Sequence, residues 1–142
     1  MNKVNENEKS NIKIIKHYIR DLSFENPQSI NENNADNNNN SNVSENMSFV
    51  HEPFENNFFG VAIKYSCECS STKITKKLFV LELDYYGLFK VVDDKTYNQA
   101  ELTKEGAKLI FPFAKSIIEN VSNKGGSLSI SLKDLDFELV KS

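Results

Sequence analysis

The chain has 142 residues, of which 39% are hydrophobic, and a formal net charge of −3 at pH 7. This length suits one domain with a real core, while the mild acidity and the lack of a dense Lys/Arg cluster argue against nucleic-acid binding. No apolar run approaches the roughly 18 residues of a membrane-spanning helix. Residues 1–10 are polar and lack the apolar centre of a signal peptide. We therefore expect a cytoplasmic protein with a disordered N-terminus at 1–10 and a single domain over 11–142.

The apolar residues of segment 11–25 alternate only in part, because Ile15 and Ile19 interrupt the pattern. This predicts an irregular or bulged strand, which Pro27 ends since proline has no N–H for the ladder. Eight asparagines follow within residues 31–42. A stretch with so little to bury predicts a mobile loop.

Three further strands are predicted downstream. Val43, Met47 and Phe49 mark the first of them, and residues 53–57 its turn. The other two show period-two alternation with one buried side. Their inward sets are Phe59, Val61, Ile63, Tyr65, Cys67 and Cys69, then Phe79, Leu81, Leu83 and Tyr85. Glu82 and Asp84 point the other way and are expected to meet water. Short connections between neighbouring strands imply antiparallel pairing.

The last third of the chain has helical periodicity. Pro112 suits the first turn of a helix, where its missing N–H is not needed. Phe113, Ile117 and Val121 form an apolar stripe, with Ala114 and Ile118 beside it. Gly125 and Gly126 end this helix.

A second, short helix is predicted near the C-terminus, after an extended segment at 128–132. Asp134 or Asp136 can cap it, and it carries Leu135, Phe137, Leu139 and Val140. The predicted fold is α+β, a four-stranded antiparallel sheet followed by two helices packed on one face.

Residues with the chemistry for catalysis or metal binding are few. Cys67 and Cys69 would form a strained disulfide in a strand, and a metal site would need more ligands than His17 and His51 can add. We expect buried, inert thiols in a reducing compartment. Gly125-Gly126 follows a helix, which is the wrong context for a phosphate-binding loop. The sequence therefore predicts a protein that is not an enzyme and uses no cofactor or metal.

Three segments, in this order and at this spacing, resemble the SecB protein-export chaperones. They are Tyr-Ile-Arg-Asp-Leu-Ser-Phe-Glu-Asn-Pro at 18–27, Phe-Val-Leu-Glu-Leu-Asp-Tyr-Tyr-Gly-Leu-Phe at 79–89 and Leu-Ile-Phe-Pro-Phe-Ala-Lys at 109–115. Residues 55–70 are similar to the family's third strand, and 130–137 to the start of its last helix. The resemblance covers about residues 12–139.

The resemblance implies a homotetramer, built as a dimer of dimers, that holds unfolded secretory precursors and passes them to the SecA motor ATPase. It implies no ATP, no cofactor, no nucleic acid and no direct membrane insertion. By motif match, Asp21, Glu25 and Glu82 fall on the acidic face that docks SecA. The expected client-binding groove contains Phe24, Phe49, Leu135 and Leu139.

Two other functions stay open on the sequence. One is a chaperone of this fold that is dedicated to a single client, such as a toxin–antitoxin partner. The other is a structural or interaction module that does not bind clients. The sequence alone does not distinguish either of these functions from that of a general export chaperone.

Overall fold

The computed structural model describes residues 11–26, 41–71 and 77–124. The strands are β1 (Ile12–Glu25), β2 (Ser41–Pro53), β3 (Phe58–Ser71) and β4 (Lys77–Val91), and the helix is α1 (Gln99–Lys124). The strands pair antiparallel in the order β1-β4-β3-β2. The predicted antiparallel sheet is confirmed, with one helix in the described part of the chain. The second predicted helix lies outside the described residues, as do Leu135 and Leu139.

Alternation in β3 and β4 builds the core as predicted. The six residues of β3 expected to face inward are at most 3% exposed, and the four of β4 are at most 5% exposed. Helix α1 packs against the same face. Each large apolar side chain buried in this way stabilises the fold by roughly 1.5–3 kcal/mol. The sheet therefore has a core face, toward α1, and an outer face, turned away from it.

Strand β1 is bulged, as its interrupted pattern predicted. Its register against β4 shifts once between Ile14 and Lys16 and again between Ile19 and Asp21. The extra residues are therefore Ile15 and Arg20, so the second bulge falls one position beyond the interruption at Ile19. The two bulges keep Ile14 and Leu22 on the side of the core, opposite Phe89 and Leu83.

Strand β2 is longer than the sequence predicted. It begins at Ser41, so the last two residues of the loop expected over residues 31–42 belong to the strand. Residues 27–40 lie outside the described ranges. Pairing with β3 runs from Ser41↔Ser71 to Pro53↔Phe59. A long partner strand that offers ladder hydrogen bonds outweighs the weak strand preference of polar residues.

The start of the helix was predicted wrongly. Helix α1 begins at Gln99, and Pro112 lies in its interior. Asn98 caps the N-terminus: its Oδ1 accepts from the Glu101 N–H at 2.8 Å, and Glu101 Oε1 accepts from the Asn98 N–H at 3.0 Å. This reciprocal pair satisfies backbone groups at the helix start. An interior proline costs about 3 kcal/mol, which burial of Ile110, Phe111 and other α1 side chains offsets.

The buried stripe of α1 also differs from the predicted one. Phe113 is 43% exposed, and Ile117 and Val121 are only partly buried. Six side chains of the helix are fully buried: Thr103, Ala107, Ile110, Ala114, Ile118 and Ser122. The helix is therefore rotated so that Ala114 and Ile118, rather than Phe113, lie in the core.

Helix and sheet pack closely at Gly106. A Cβ atom there would lie 2.7 Å from Val61 Cγ2 and 3.1 Å from Phe89 Cε2. Both neighbours are fully buried, so neither can move aside freely. The lack of a side chain at Gly106 is what lets α1 settle on β3 and β4.

We expect Gly106→Ala to lower the free energy of unfolding, by about 1–3 kcal/mol for overpacking, although alanine gains about 1 kcal/mol in helix propensity. Thermal and urea denaturation would measure the net change. Ser116→Ala, at an exposed position of the same helix, is the control and should change stability by less than about 0.5 kcal/mol. A more stable Gly106→Ala protein would contradict the close packing.

Candidate functional site

The outer face carries a group of carboxylates at one end. Strand register places Asp21 opposite Asp84, and Glu82 opposite Ser23 on β1 and Ser66 on β3. Val80 is flanked by Glu25 and Glu68 in the next row. We term this group the acidic end of the outer face; its members are Asp21, Glu25, Glu68, Glu82 and Asp84. The three residues predicted to dock a partner, Asp21, Glu25 and Glu82, are therefore exposed and close together.

Two cations sit beside the carboxylates and reduce their negative charge. Arg20 Nε lies 3.4 Å from Asp84 Oδ1, and Lys64 Nζ lies 4.0 Å from Asp84 Oδ2. Asp84 was expected to be solvated with Glu82, but this was only half right: Glu82 is exposed, whereas the Asp84 side chain is 22% exposed and ion-paired. The negative charge that a partner would meet therefore comes mainly from Asp21, Glu25 and Glu82.

Arg20 also crosses the outer face to the far edge of the sheet. Its Nη1 donates to Glu52 Oε2 at 3.0 Å, although β1 and β2 are the two edge strands. Burial alone would lower the pKa of Arg20, but the hydrogen bond to Glu52 and the charges of Asp84 and Glu52 outweigh it and raise the pKa. Arg20 was missed from the sequence because only the bulge directs it there.

An aromatic ring supports this crossing. The guanidinium of Arg20 lies 4.5 Å from the ring centroid of Tyr86, which is a favourable cation–π distance. Tyr86 in turn lies over Gly60, where a Cβ atom would clash with the Tyr86 hydroxyl. A side chain at Gly60 would displace Tyr86 and with it the platform for Arg20.

The two described residues of the predicted client groove are not in contact with each other. Phe24 is on β1 and Phe49 on β2, at opposite edges of the sheet with β4 and β3 between them. Both are partly buried and pack against the core, and Phe24 stacks on Phe79 with ring centroids 5.9 Å apart. The described part of the chain therefore places them as two separate apolar positions on the core face.

A cavity of about 470 Å³ lies between the β2–β3 turn, the segment after β4 and the start of α1. Its lining includes His51, Phe54, Phe58, Tyr97 and Leu102. Neither ring nitrogen of His51 has a hydrogen-bond partner among the described residues. Burial lowers the pKa of His51, and the nearby charge of Glu52 only partly opposes this.

The two thiols match their prediction. Cys67 and Cys69 are buried and form no disulfide with each other, and burial raises the pKa of Cys67. Beside them, the Tyr65 hydroxyl donates to Glu45 Oε2 at 3.0 Å, and burial raises the pKa of Tyr65. Within residues 11–26, 41–71 and 77–124, no group of three or more His, Cys, Asp or Glu is placed to hold a metal ion. The helix in the described residues is not apolar enough over a sufficient length to span a membrane.

His51 gives the fold a predictable response to acid. Because its pKa is lowered in the folded state, the unfolded chain takes up the proton first, and stability falls as pH drops below about 6.5. The His51→Gln protein should lack this contribution of His51. Between neutral pH and the pH at which carboxylates begin to titrate, its free energy of unfolding should therefore fall less than that of the parent protein. Urea denaturation at a series of pH values would measure the difference. Parallel curves for the two proteins would contradict it.

Comparisons with known proteins agree on one family. The family model described as preprotein translocase subunit SecB matches residues 5–140. The chain is 34% identical over 130 residues to a protein-export protein SecB of Parvibaculum lavamentivorans, covering 89% of this chain and 74% of that protein. A second such protein, of Hyphomonas neptunium, is 30% identical over 129 residues, with the same coverage.

The fold is shared by a solved structure of another protein. It is a SecB-like chaperone of Mycobacterium tuberculosis in complex with a peptide from an antitoxin, with a TM-score of 0.69, 11% identity, and coverage of 88% of this chain and 91% of that one. At that identity the likeness concerns the fold alone. The sequence matches, which span most of the chain, show that this protein belongs to the SecB family.

Proposed function

We propose that this protein is an ATP-independent holdase chaperone that binds unfolded secretory precursors in the cytoplasm and delivers them to SecA. The observation that carries the proposal is the match to protein-export proteins SecB over nearly the whole chain, at 34% identity with the protein of Parvibaculum lavamentivorans. A holdase must accept many sequences, so it should use apolar contact and main-chain hydrogen bonds rather than a shaped catalytic pocket.

Apolar surface for client binding is expected near Phe24 and Phe49. Both rings are partly exposed at the edges of the core face, where an extended segment could lie against them. Leu135 and Leu139, the other proposed groove residues, lie outside the described part of the chain. Because Phe24 also stacks on Phe79, part of its contribution goes to stability.

Assembly into a homotetramer, as a dimer of dimers, is part of the proposal. Among the described strands, β1 has a partner on one side only, and an edge strand is an aggregation hazard unless it is covered. Ile15 and Ile19 on this strand are each 43% exposed and Leu22 is 39% exposed, while Phe113 on α1 is 43% exposed. A subunit contact made from this edge and the adjoining helix would bury these side chains. Closed symmetry would then limit the number of subunits in the assembly.

Purified protein should delay the refolding of several unrelated slow-folding proteins without nucleotide. Delay of a single client would instead support the dedicated chaperone, and no delay would support the interaction module. Phe24→Ala should weaken client binding by up to roughly 1.5–3 kcal/mol, the value of burying one phenylalanine. Phe54→Ala, at a ring that is 52% exposed in the β2–β3 turn, is the matched control.

Melting temperatures measured alongside would show whether Phe24→Ala acts through stability. If neither client binding nor melting temperature changed, the groove would not include Phe24.

The acidic end is the proposed docking surface for SecA. Reversal of Asp21, Glu25 and Glu82 to Lys should weaken SecA binding most at low salt, because exposed ion pairs are each worth about 0–1 kcal/mol and are screened by salt. Calorimetric titration would measure the affinity. The control protein carries the same change to Lys at Glu55, Asp94 and Glu105, which lie away from the acidic end.

Light scattering should report a mass near four chains for the parent and both variants. SecA affinity that stayed the same after the acidic end was reversed would refute this surface.

A further inference from the structure

The end of the outer face opposite the acidic end carries three lysines. Lys13 on β1 is the direct cross-strand partner of Lys90 on β4, and Lys16 follows on β1 opposite Leu88. The neighbours of Lys13 in the chain, Ile12 and Ile14, face the core, so Lys13 itself points outward. We term Lys13, Lys16 and Lys90 the basic end of the outer face.

These lysines lack a negative partner within the chain as described. Across residues 11–26, 41–71 and 77–124, no carboxylate oxygen lies within 4.0 Å of their ammonium groups. Like charges placed directly opposite one another destabilise a sheet. The like-charged pair at the acidic end, Asp21 and Asp84, has Arg20 and Lys64 beside it. Among the described residues, no carboxylate forms an ion pair with Lys13 or Lys90.

The acidic end is too distant to neutralise the charge of these lysines. Eight positions of β1 separate Lys13 from Asp21, which is about 20–25 Å at roughly 3.3 Å per residue once two bulges are allowed for. Screening reduces interactions between exposed charges beyond about 8 Å at physiological ionic strength. The two ends therefore act as separate electrostatic surfaces.

Aromatic rings lie among the lysines. The Lys90 ammonium is 5.2 Å from the Phe58 ring centroid, and that of Lys16 is 5.8 Å from the Tyr18 ring centroid. Tyr18 is 42% exposed, so its face can be contacted from solvent. A ligand at the basic end would meet ammonium donors and flat apolar surface together.

We propose that the basic end of the outer face docks an acidic peptide segment of a partner protein. Its carboxylates would stand between Lys13 and Lys90 and relieve their repulsion, and Lys16 would add a third charge-assisted contact. A long polyanion fits less well, because the same face becomes acidic toward Asp21 and Glu82. This site is distinct from the proposed SecA surface and does not depend on it.

The test uses the full-length protein and a fluorescent oligoglutamate peptide, with anisotropy as the readout at low salt. The Lys13→Gln/Lys16→Gln protein should bind about three- to tenfold more weakly than the parent. Lys108→Gln/Lys124→Gln removes the same charge from exposed positions of α1 and should leave the affinity unchanged. Lys13→Gln alone should melt no lower than the parent, since it removes a like-charge pair.

Two further probes decide the ligand class. An oligolysine peptide should not bind the basic end, and single-stranded oligouridylate should bind more weakly than oligoglutamate. The proposal is overturned if oligoglutamate fails to bind, if the two double variants lose affinity equally, or if oligouridylate binds more tightly. Loss of SecA binding when Asp21, Glu25 and Glu82 are neutralised to Asn or Gln, with oligoglutamate binding still weakened only by Lys13→Gln/Lys16→Gln, would show that the two surfaces are separate.

Discussion

The packing of α1 against one face of the sheet is the constraint on which the other features depend. At Gly106 the helix backbone comes close enough to leave no room for a Cβ atom beside Val61. The core face of β3 and β4 is thereby almost fully buried. Since the described helix covers only that face, the other face of the same strands remains available for charged side chains. Alternation along the strands thus separates packing residues from residues that can meet a partner.

Charge on the outer face is divided along the strands rather than spread evenly. Carboxylates gather where β1 ends and β4 begins, while lysines gather at the other ends of the same two strands. Arg20 lies between them, on Tyr86, and binds Glu52 from the opposite edge. A chain with a net charge of only −3 can therefore present a locally acidic surface and a locally basic one, which its overall charge does not reveal.

Strand β1 contributes to three parts of the molecule at once. One side carries residues of the core face, where His17 shares a 2.6 Å hydrogen bond with Tyr85 and its ring lies 4.4 Å from Phe113. The other side carries Asp21 and two lysines of the basic end, Lys13 and Lys16. Its outer edge, beside the exposed Ile15 and Ile19, pairs with no other strand of the described residues. Core packing, assembly and partner docking are therefore coupled through one strand, and its two bulges set which residue serves which purpose.

The sequence by itself determined the features that depend on local periodicity. The inward residues of β3 and β4, the bulged character of β1 and the buried thiols all followed from it. The resemblance to SecB came from three segments of the sequence, and this resemblance implied the shared face of Asp21 and Glu82. The start of α1 was also present in the sequence, as the Asn98–Glu101 capping box. The prediction instead placed the helix start at Pro112, because proline is common in the first turn of a helix. Only the tertiary structure decided the strand order, the rotation of α1, the separation of Phe24 from Phe49 and the partners of Arg20. These depend on contacts between residues distant in the chain, which no local pattern encodes.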